Sequence, residues 1–327
     1  MNFFIREFPI YLAPMEAVNC ASFRVLCKRR GASLVYTDMI DTDEFADYAR
    51  EHGDEAAIKR YVNAQEEERP LVVQLGGANN ANLAYTAKAV NGIADAVDFN
   101  VGCPLGSMLG KKGGCYLMKH PNQLEKVAKV LRECVTKPLS FKIRSGWDDA
   151  SINAIEIATL LESCGADALT VHARTRKQLY KHKSDWQLVR KVKETVSIPV
   201  ILSGDVFSPY DAYMAFTHTK CDGIMLARAA KHNPSVFLQM KDWSDAGQKK
   251  VEKPRNQYSK QEVDAIADFD EWLGLYQTLE SRDRLSEIMD HARWTIREAT
   301  NNGVLQDELV LCESVDAISE VVKKATF

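Results

Sequence analysis

A single cysteine between a glycine and a proline is the residue of this sequence best placed to do chemistry. Cys103 lies in the stretch DFNVGCPLG, directly after an apolar run that is typical of a buried strand. Pro104 prevents simple continuation of that strand, and Gly102 permits a close backbone approach. A thiol with an ordinary pKa of about 8.5 is largely protonated at neutral pH, so it can donate a proton as readily as act as a nucleophile. Buried cysteines more often serve only as small hydrophobic residues, but the turn favours a catalytic role for Cys103.

Polar side chains in other strand-like runs could bind a planar, charged group. Lys142 and Arg144 are two residues apart and therefore point to the same side of a strand. A bound anion is the favoured interpretation for Lys142, whereas for Arg144 an anion and an ion pair are equally favoured. His172 is either a site residue or a hydrogen-bonded part of the scaffold. Gln74 and Asn100 supply both donors and acceptors, which suit a heterocycle with carbonyls and ring nitrogens better than a simple carboxylate.

The ends of the last two strand-like runs are candidates for binding a phosphate. Gly204 would let the backbone approach a ligand, and Arg228 would offer a cationic fork. A helix beginning near Pro234, with Asn233 as its cap, could add its positive end. An ordinary turn with a surface arginine is the alternative, and in isolation the two interpretations have equal weight.

These residues follow one another on a repeating pattern of short β-branched runs and longer helical segments. The helical candidates include 121–134 and 151–164. Strands that alternate with helices predict a parallel sheet, and eight repeats predict closure into an α/β fold of the (β/α)8 TIM-barrel type. An open doubly wound sheet would need a glycine-rich phosphate motif after the first strand, and the sequence has none there. The predicted strands are 9–15, 34–39, 71–76, 96–102, 139–146, 168–174, 199–205 and 223–229.

A second unit follows the predicted barrel. We predict a catalytic domain over residues 1–243 and a polar linker over 244–257, where the sequence reads SDAGQKKVEKPRNQ. Residues 258–327 carry apolar residues at helical spacing and are predicted to form a small all-helical domain. Because the carboxyl ends of barrel strands meet at one mouth, the polar strand ends should line a single site in the first domain.

Composition limits the class of protein. Of the 327 residues, 46% are hydrophobic and 27% charged, which is typical of a soluble globular protein. No apolar run approaches the roughly 18 residues of a membrane span, and the first residues lack the features of a secretion signal. The eight cysteines include no Cys-x-x-Cys pair, which argues against a zinc or disulfide framework and for a cytoplasmic location. We therefore expect no metal, no membrane association and no protein partner.

Charge is distributed unevenly along the chain. The formal net charge is −3, but residues from 245 onward hold 17 acidic and 11 basic side chains. The first 244 residues hold 28 acidic and 31 basic side chains. A polyanion should therefore be attracted mainly by the first domain or by local patches.

Together these motifs resemble those of the tRNA-dihydrouridine synthases, flavin enzymes that reduce uridine in tRNA. The matching stretches follow the family's order over most of the predicted barrel, and their combination in one chain is highly specific. They are LAPMEAV (12–18), VVQLGG (72–77), VDFNVGCP (97–104), KKGGCYLMKHP (111–121), FKIRSGWD (141–148), LTVHARTRKQLYKHKSDW (169–186), PVILSGD (199–205) and CDGIMLARAAKHNP (221–234).

The resemblance implies a specific chemistry for the site. It implies FMN across the barrel mouth, NADPH as the reductant of the flavin, and tRNA as the substrate. Cys103 would then give a proton to C5 of uracil after hydride transfer to C6, and Asn100, Arg174 and Tyr180 would bind the substrate. The residues that the resemblance assigns to the cofactor are Pro14, Met15, Glu16, Gln74, Lys142, His172, Ser203, Gly204, Asp205, Ala227 and Arg228.

The chain departs from the family pattern at the phosphate end. Ser203 stands where the family often has asparagine, and Ala227 where it often has glycine. A small-molecule FMN oxidoreductase of the dihydroorotate dehydrogenase type remains an alternative, and so does an RNA-binding protein whose catalytic site has decayed. The tRNA position that is modified is not encoded in the strand-end motifs. Candidate contacts to tRNA are Lys111, Lys112, Arg174, Arg176, Lys177, Lys181, Arg293 and Arg297.

Overall fold

The computed structural model describes residues 2–245, 265–280, 285–300 and 303–325. All strand pairs are parallel, and the sheet runs in the order β1-β9-β8-β7-β6-β5-β4-β2, with the short β3 paired to β4. The strands are β1 (Ile10–Leu12), β2 (Val35–Tyr36), β3 (Ile40–Asp41), β4 (Leu71–Gly76), β5 (Ala96–Asn100), β6 (Leu139–Arg144), β7 (Ala168–His172), β8 (Val200–Ser203) and β9 (Gly223–Leu226).

The sheet closes on itself between its first two strands. Tyr11 forms a parallel bridge with Leu34, and the Leu12 amide donates to the Leu34 carbonyl at 2.9 Å. Eight strands therefore surround one interior, and the predicted (β/α)8 barrel is confirmed.

Each predicted strand contains one observed strand; β4 has the predicted bounds, and the other observed strands end earlier than predicted. At 199–205, for example, the strand stops at Ser203 because Gly204 and Asp205 have φ angles of 116° and 60°. Positive φ values take the backbone out of the extended region. The backbone after Ser203 thereby leaves the sheet.

Helices cover the outside of the barrel. Their buried faces follow the helical period, as in the helix that begins at Pro121, which buries Leu124, Val127, Ala128 and Leu131. This helix has the predicted bounds. The barrel helices are α1 (Ala21–Arg29), α2 (Thr42–His52), α3 (Asp54–Tyr61), α4 (Asn80–Asn91), α5 (Gly106–Gly110), α6 (Cys115–Lys119), α7 (Pro121–Cys134), α8 (Ala154–Ser163), α9 (Trp186–Thr195), α10 (Pro209–Thr219), α11 (Arg228–His232) and α12 (Val236–Asp245), with a 3-10 turn at Glu66–Glu68.

The barrel interior is filled by two kinds of layer. Apolar side chains, among them Tyr11, Tyr36 and Met225, pack against one another inside the sheet. Asp98 and Ser140 form a polar layer on neighbouring strands, and both side chains are fully buried. A second, larger apolar core lies between the strands and the outer helices.

In the described part of the chain, four further helices follow the barrel. The first of them packs against α1, where Arg30 makes ion pairs with Asp268 and Glu271, each at 2.6 Å. Inside this helical unit, Trp272 stacks on His291 with ring centroids 3.8 Å apart. The helices are α13 (Ala265–Leu279), α14 (Leu285–Ala299), α15 (Gly303–Val310) and α16 (Val315–Lys323).

The predicted linker over 244–257 lies mostly outside the described residues. Residues 244 and 245, which the sequence assigned to it, form the last positions of α12 because that helix continues beyond 243. Residues 246–264 are not described. Within the parts of the chain that are, no helix is both long and apolar enough to cross a bilayer.

Candidate active site

A cavity of about 550 Å3 opens at the carboxyl ends of the barrel strands. Every residue predicted for the site lines this cavity except Arg174. The predicted residues that line it are Pro14, Met15, Glu16, Gln74, Asn100, Cys103, Lys142, His172, Tyr180, Ser203, Gly204, Asp205, Ala227 and Arg228.

Cys103 is held by its backbone in a tight turn at the cavity wall. The Asn100 side-chain oxygen accepts hydrogen bonds from the amides of Gly102 (2.9 Å) and Cys103 (2.7 Å). The Cys103 carbonyl accepts from the amide of Cys115 at 2.9 Å. Burial raises the pKa of the Cys103 thiol above its ordinary value, so the thiol is protonated at neutral pH. The geometry therefore offers a proton donor rather than a thiolate.

Gly114 lets the next segment pack against this turn, a role that the sequence analysis missed. It has a φ of 55°, and a Cβ there would lie 2.5 Å from the Cys103 carbonyl oxygen. Neither the backbone angle nor the space suits a larger residue. Gly114 is the second glycine of KKGGC. The glycine pair was the available sequence signal, because such pairs are typical of turns.

Two amides form the polar floor of the cavity. Gln74 donates through Nε2 to the Asp98 carboxylate at 2.7 Å, and Asn100 donates through Nδ2 to Gln74 Oε1 at 2.9 Å. Each amide nitrogen carries two hydrogens. One hydrogen on each therefore remains for a ligand, as expected for recognition of a heterocycle.

Lys142 places an ammonium group at the cavity. Burial, and to a lesser degree the positive charge of Arg144, lowers the pKa of this lysine from 10.5 to about 8. Among the residues that the structure describes, none is within ion-pairing or hydrogen-bonding distance of its ammonium. A cation in a partly desolvated site, with no carboxylate within ion-pairing distance among the described residues, is well suited to bind an anionic group.

His172 is a neutral imidazole whose tautomer can be assigned. Its Nε2 lies 3.2 Å from Nη1 of Arg174. A guanidinium only donates, so Nε2 accepts and the ring proton is on Nδ1. Burial, followed by the charges of Lys142 and Arg144, lowers the pKa of His172 well below its usual 6.5. The ring therefore acts as a hydrogen-bonding group and not as a cation.

Arg174 occupies a different place from the one that the sequence suggested. It was predicted to bind substrate and to contact tRNA, but it is 2% exposed and does not line the cavity. Its Nη2 donates to both oxygens of Asp205 (2.6 and 2.7 Å) and to the carbonyl of His182 (2.7 Å). The guanidinium donors are therefore occupied, and they hold Asp205 and His172 in place beneath the site.

The residues predicted for the phosphate end lie together in the structure, around Gly204. A Cβ on Gly204 would lie 2.9 Å from Ser184 Oγ and 3.1 Å from His172 Cδ2, and its φ is 116°. Burial tends to raise the pKa of Asp205, but hydrogen bonds from Arg174 and the Ser184 amide keep it below the usual range. Arg228 donates to Asp205 at 3.2 Å and is otherwise partly exposed toward the cavity.

The helix expected near Pro234 does not contribute to this end. Helix α12 begins at Val236, and neither Pro234 nor Asn233 lines the cavity. Residues of α11, which starts directly after β9, line it instead: Arg228, Ala229 and Lys231. The chain turns into a helix earlier than the proline signal suggested.

The structure adds lining residues that sequence reasoning left open or missed. Arg144 forms no ion pair with any residue that the structure describes; it donates to the carbonyls of Gly102 (2.8 Å) and Leu179 (3.0 Å), joining two loops. Tyr180 is 60% exposed at the rim, and its ring centroid lies 5.7 Å from the guanidinium carbon of Arg144 and 5.8 Å from that of Arg228.

Lys231 is a lining residue that the sequence analysis missed. Its ammonium lies 3.8 Å from the ring centroid of Trp294 in the helical unit. Its position three residues after Arg228, on the same helical face, was the available signal.

The candidate tRNA contacts differ in their surroundings. Lys111, Lys177 and Arg293 each pair with a carboxylate of this chain, and the Arg176 guanidinium lies 4.9 Å from the Trp147 ring centroid. Lys112, Lys181 and Arg297 are exposed. The last three therefore keep more of their charge available to a polyanion.

Comparison with known proteins identifies the family. The family model described as dihydrouridine synthase (Dus) matches residues 11–326.

The chain belongs to the dihydrouridine synthase family.

Named relatives agree. The chain is 33% identical over 243 residues to tRNA-dihydrouridine synthase B of Proteus vulgaris, with 72% of each chain covered. It is 36% identical over 242 residues to a "Probable tRNA-dihydrouridine synthase" of Rickettsia conorii, covering 74% of this chain and 72% of the relative. A solved structure of a variant of NCR from Zymomonas mobilis shares the fold, with a TM-score of 0.52 at 14% identity over 72% of this chain and 86% of that one.

Dihydrouridine synthesis is a reduction of the C5=C6 bond of uracil, so this member of the family is an oxidoreductase, and the family implies a flavin cofactor. The residues present fit such a group. The cavity of about 550 Å3 is of the size that ligands of this class occupy. Among the described residues no carboxylate lies within ion-pairing distance of the Lys142 ammonium, and Gly204 and Arg228 line the same cavity. In the described residues no cluster of three or more His, Cys, Asp or Glu side chains could hold a metal ion.

Proposed function

We propose that this chain reduces uridines of tRNA to dihydrouridine, with FMN as its flavin, NADPH as the reductant, and Cys103 as the proton donor. One observation carries the proposal: a protonated thiol and the Lys142 ammonium line the same cavity. The first can supply a proton, and the second can stabilise negative charge.

The uracil ring determines what the protein must provide. Its C5=C6 bond is conjugated with the C4 carbonyl, so C6 is electrophilic. When bound, the reduced flavin supplies hydride to C6. Negative charge then develops at C5 and O4. The Cys103 thiol gives its proton to C5, so that the C–H bond forms as the S–H bond breaks, and solvent later reprotonates the thiolate.

The order in which side chains line the cavity supports FMN as the bound flavin. Pro14, Met15 and Glu16 would lie beside the ring system, with Gln74 and Lys142 at its polar edge and His172 next to it. The single phosphate of FMN would lie at the far end, where Gly204 and the partly exposed Arg228 line the cavity. The residues proposed for that end are Ser203, Gly204, Asp205, Ala227 and Arg228.

The substrate nucleotide would enter past the rim. Tyr180 offers an exposed ring on which a base can stack, and Asn100 keeps one amide hydrogen for a uracil carbonyl. A uridine must leave its stack to reach Cys103. We assign the helical unit to tRNA binding and the protein to the cytoplasm, which is consistent with eight cysteines that are all free.

Removing the charge of Lys231 should weaken tRNA binding. Lys231 lines the cavity, and its ammonium lies 3.8 Å from the ring centroid of Trp294 in the helical unit. We expect Lys231→Ala to raise KM for tRNA about fivefold and to lower the salt dependence of binding by about one phosphate contact, with kcat within about twofold. Steady-state kinetics and binding titrations at several salt concentrations measure this.

Lys191→Ala is the matched control for Lys231, since Lys191 is exposed on α9 and does not line the cavity. Lys231→Arg should restore most of the affinity. If KM and salt dependence are the same in Lys231→Ala and Lys191→Ala, the ammonium does not contact tRNA.

The proposed function is tested by quantifying dihydrouridine. Purified protein loaded with FMN is incubated with NADPH and with tRNA from cells that lack this gene, and the nucleosides are measured by mass spectrometry. Dihydrouridine should appear at one or a few tRNA positions. Free uracil, uridine and orotate serve as competing substrates. Turnover of these with unchanged tRNA would favour the small-molecule oxidoreductase instead.

A further inference from the structure

We infer that Asp98 is a positioning residue, whose buried carboxylate sets the orientation of the Gln74 and Asn100 amides and thereby fixes the turn that carries Cys103. The inference rests on the proposed role of Cys103. It concerns a residue that does not line the cavity and that the reaction itself does not use.

Asp98 lies in the middle of three neighbouring strands. In the sheet register it is paired with Gln74 of β4 on one side and Ser140 of β6 on the other. Its side chain is fully buried inside the barrel. One carboxylate oxygen accepts from Gln74 Nε2 at 2.7 Å, and the other accepts from Ser140 Oγ at 2.5 Å. Both oxygens are therefore occupied by donors from the adjacent strands.

An ionised carboxylate can only accept hydrogen bonds, and this gives the network a direction. Gln74 must turn its nitrogen to Asp98 and so turns its oxygen to Asn100. Asn100 then directs its nitrogen to Gln74 at 2.9 Å. The Asn100 oxygen consequently faces the amides of Gly102 and Cys103. Reversing either amide would bring two donors or two acceptors together.

The charge environment supports this arrangement. Burial raises the pKa of Asp98, whereas hydrogen bonds from Ser140 and Gln74 and the positive charge of Lys142 lower it. The net result is a pKa of about 6. The carboxylate is thus mainly ionised at neutral pH. In return, its negative charge helps to keep Lys142 protonated.

The test compares a variant that changes the carboxylate itself with a variant that removes one hydrogen bond to it. Asp98→Asn keeps the shape but lets the side chain present its nitrogen to Gln74, so that both orientations of Gln74 become available. Ser140→Ala removes the hydroxyl bond and leaves the acceptor for Gln74 intact. Only the first should disturb the Cys103 turn.

Hydrogen exchange of the Gly102 and Cys103 amides gives a readout that needs no activity. We expect exchange at these amides to be about tenfold faster in Asp98→Asn, and unchanged in Ser140→Ala, in fragmentation mass spectrometry of the full chain. Stopped-flow absorbance then separates the two half-reactions. Oxidation of the reduced flavin by tRNA should slow about tenfold in Asp98→Asn, whereas reduction by NADPH should stay within about twofold.

The outcomes are distinguishable. Equal exchange and equal half-reactions in the two variants would overturn the inference, and so would a loss of both half-reactions together. Asp98→Ala, which removes the acceptor completely, should show a larger effect than Asp98→Asn on both readouts. A wild-type protein whose reduced flavin is not oxidised by tRNA would refute the proposed function, while the exchange comparison would still decide the role of Asp98.

Discussion

Replacing Cys103 with alanine should lower the rate of tRNA-dependent flavin oxidation by about 100- to 10,000-fold, the range typical of a removed general acid. The physical reason is that C5 of uracil must receive a proton, and in the described part of the cavity Cys103 is the thiol that lines it. Flavin binding should be unaffected, so the purified variant should remain yellow. Stopped-flow oxidation by tRNA, together with the flavin absorbance spectrum, measures both effects.

Two further variants make the Cys103 result specific. Cys103→Ser keeps a small polar group but replaces the thiol with a far weaker acid, so it should be nearly as slow as the alanine variant. Cys134→Ala makes the same substitution in α7, away from the cavity, and should behave like the wild type. Rapid oxidation by tRNA in Cys103→Ala would mean that another group, or solvent, protonates C5.

Replacing Lys142 with methionine should weaken flavin binding about 10- to 100-fold, which corresponds to the roughly 1.5–3 kcal/mol of a hydrogen bond to a charged group. Methionine has a similar length without the charge. In the structure the ammonium has no counter-charge within ion-pairing distance among the described residues. The ammonium can therefore attract an anionic edge of the ligand without competition from a paired carboxylate. Fluorescence titration of the apoprotein with FMN measures the affinity.

The pH dependence of flavin binding tests the same group. The pKa of Lys142 is lowered from 10.5 to about 8, so the ammonium form predominates below pH 8 and the neutral amine above it. A bound anion favours the ammonium form. Wild-type affinity should therefore fall between pH 7 and pH 9, whereas Lys142→Met should show little change over this interval.

Lys126→Met controls for loss of a lysine on the outer surface of α7. It should leave both the affinity and its pH dependence unchanged. Equal affinity in Lys142→Met and Lys126→Met would show that the ammonium does not face the flavin.

The sequence predicted the barrel well because its signals are local. Each strand is a short apolar run bounded by breakers, and the helix over Pro121–Cys134 has both a proline at its first position and a regular apolar face. The site was also predicted largely from local information. In a barrel every strand end reaches the same mouth, so a polar residue after a strand is placed by topology alone. This is how Cys103, Lys142 and Gly204 were found without coordinates.

Other features depended on contacts that no local pattern encodes. Arg174 has the spacing of a site residue but turns beneath the cavity, because Asp205 and the His182 carbonyl take up its donors. Lys231 contacts the ring of Trp294, which lies 63 residues further along the chain, so no local pattern could predict this contact. The early end of the predicted strand at Gly204 likewise depended on backbone angles set by packing.

The sequence by itself therefore determined the kinds of groups at the barrel mouth: a thiol, a lysine, two amides and the glycine that follows β8. Only the tertiary structure decided how they are oriented. In this network the Cys103 amide donates to Asn100, Asn100 donates to Gln74, and Gln74 donates to Asp98. That direction depends on the register of adjacent strands. The physical reason is that amides and carboxylates acquire a defined orientation only when complementary donors and acceptors are brought within about 3 Å of one another.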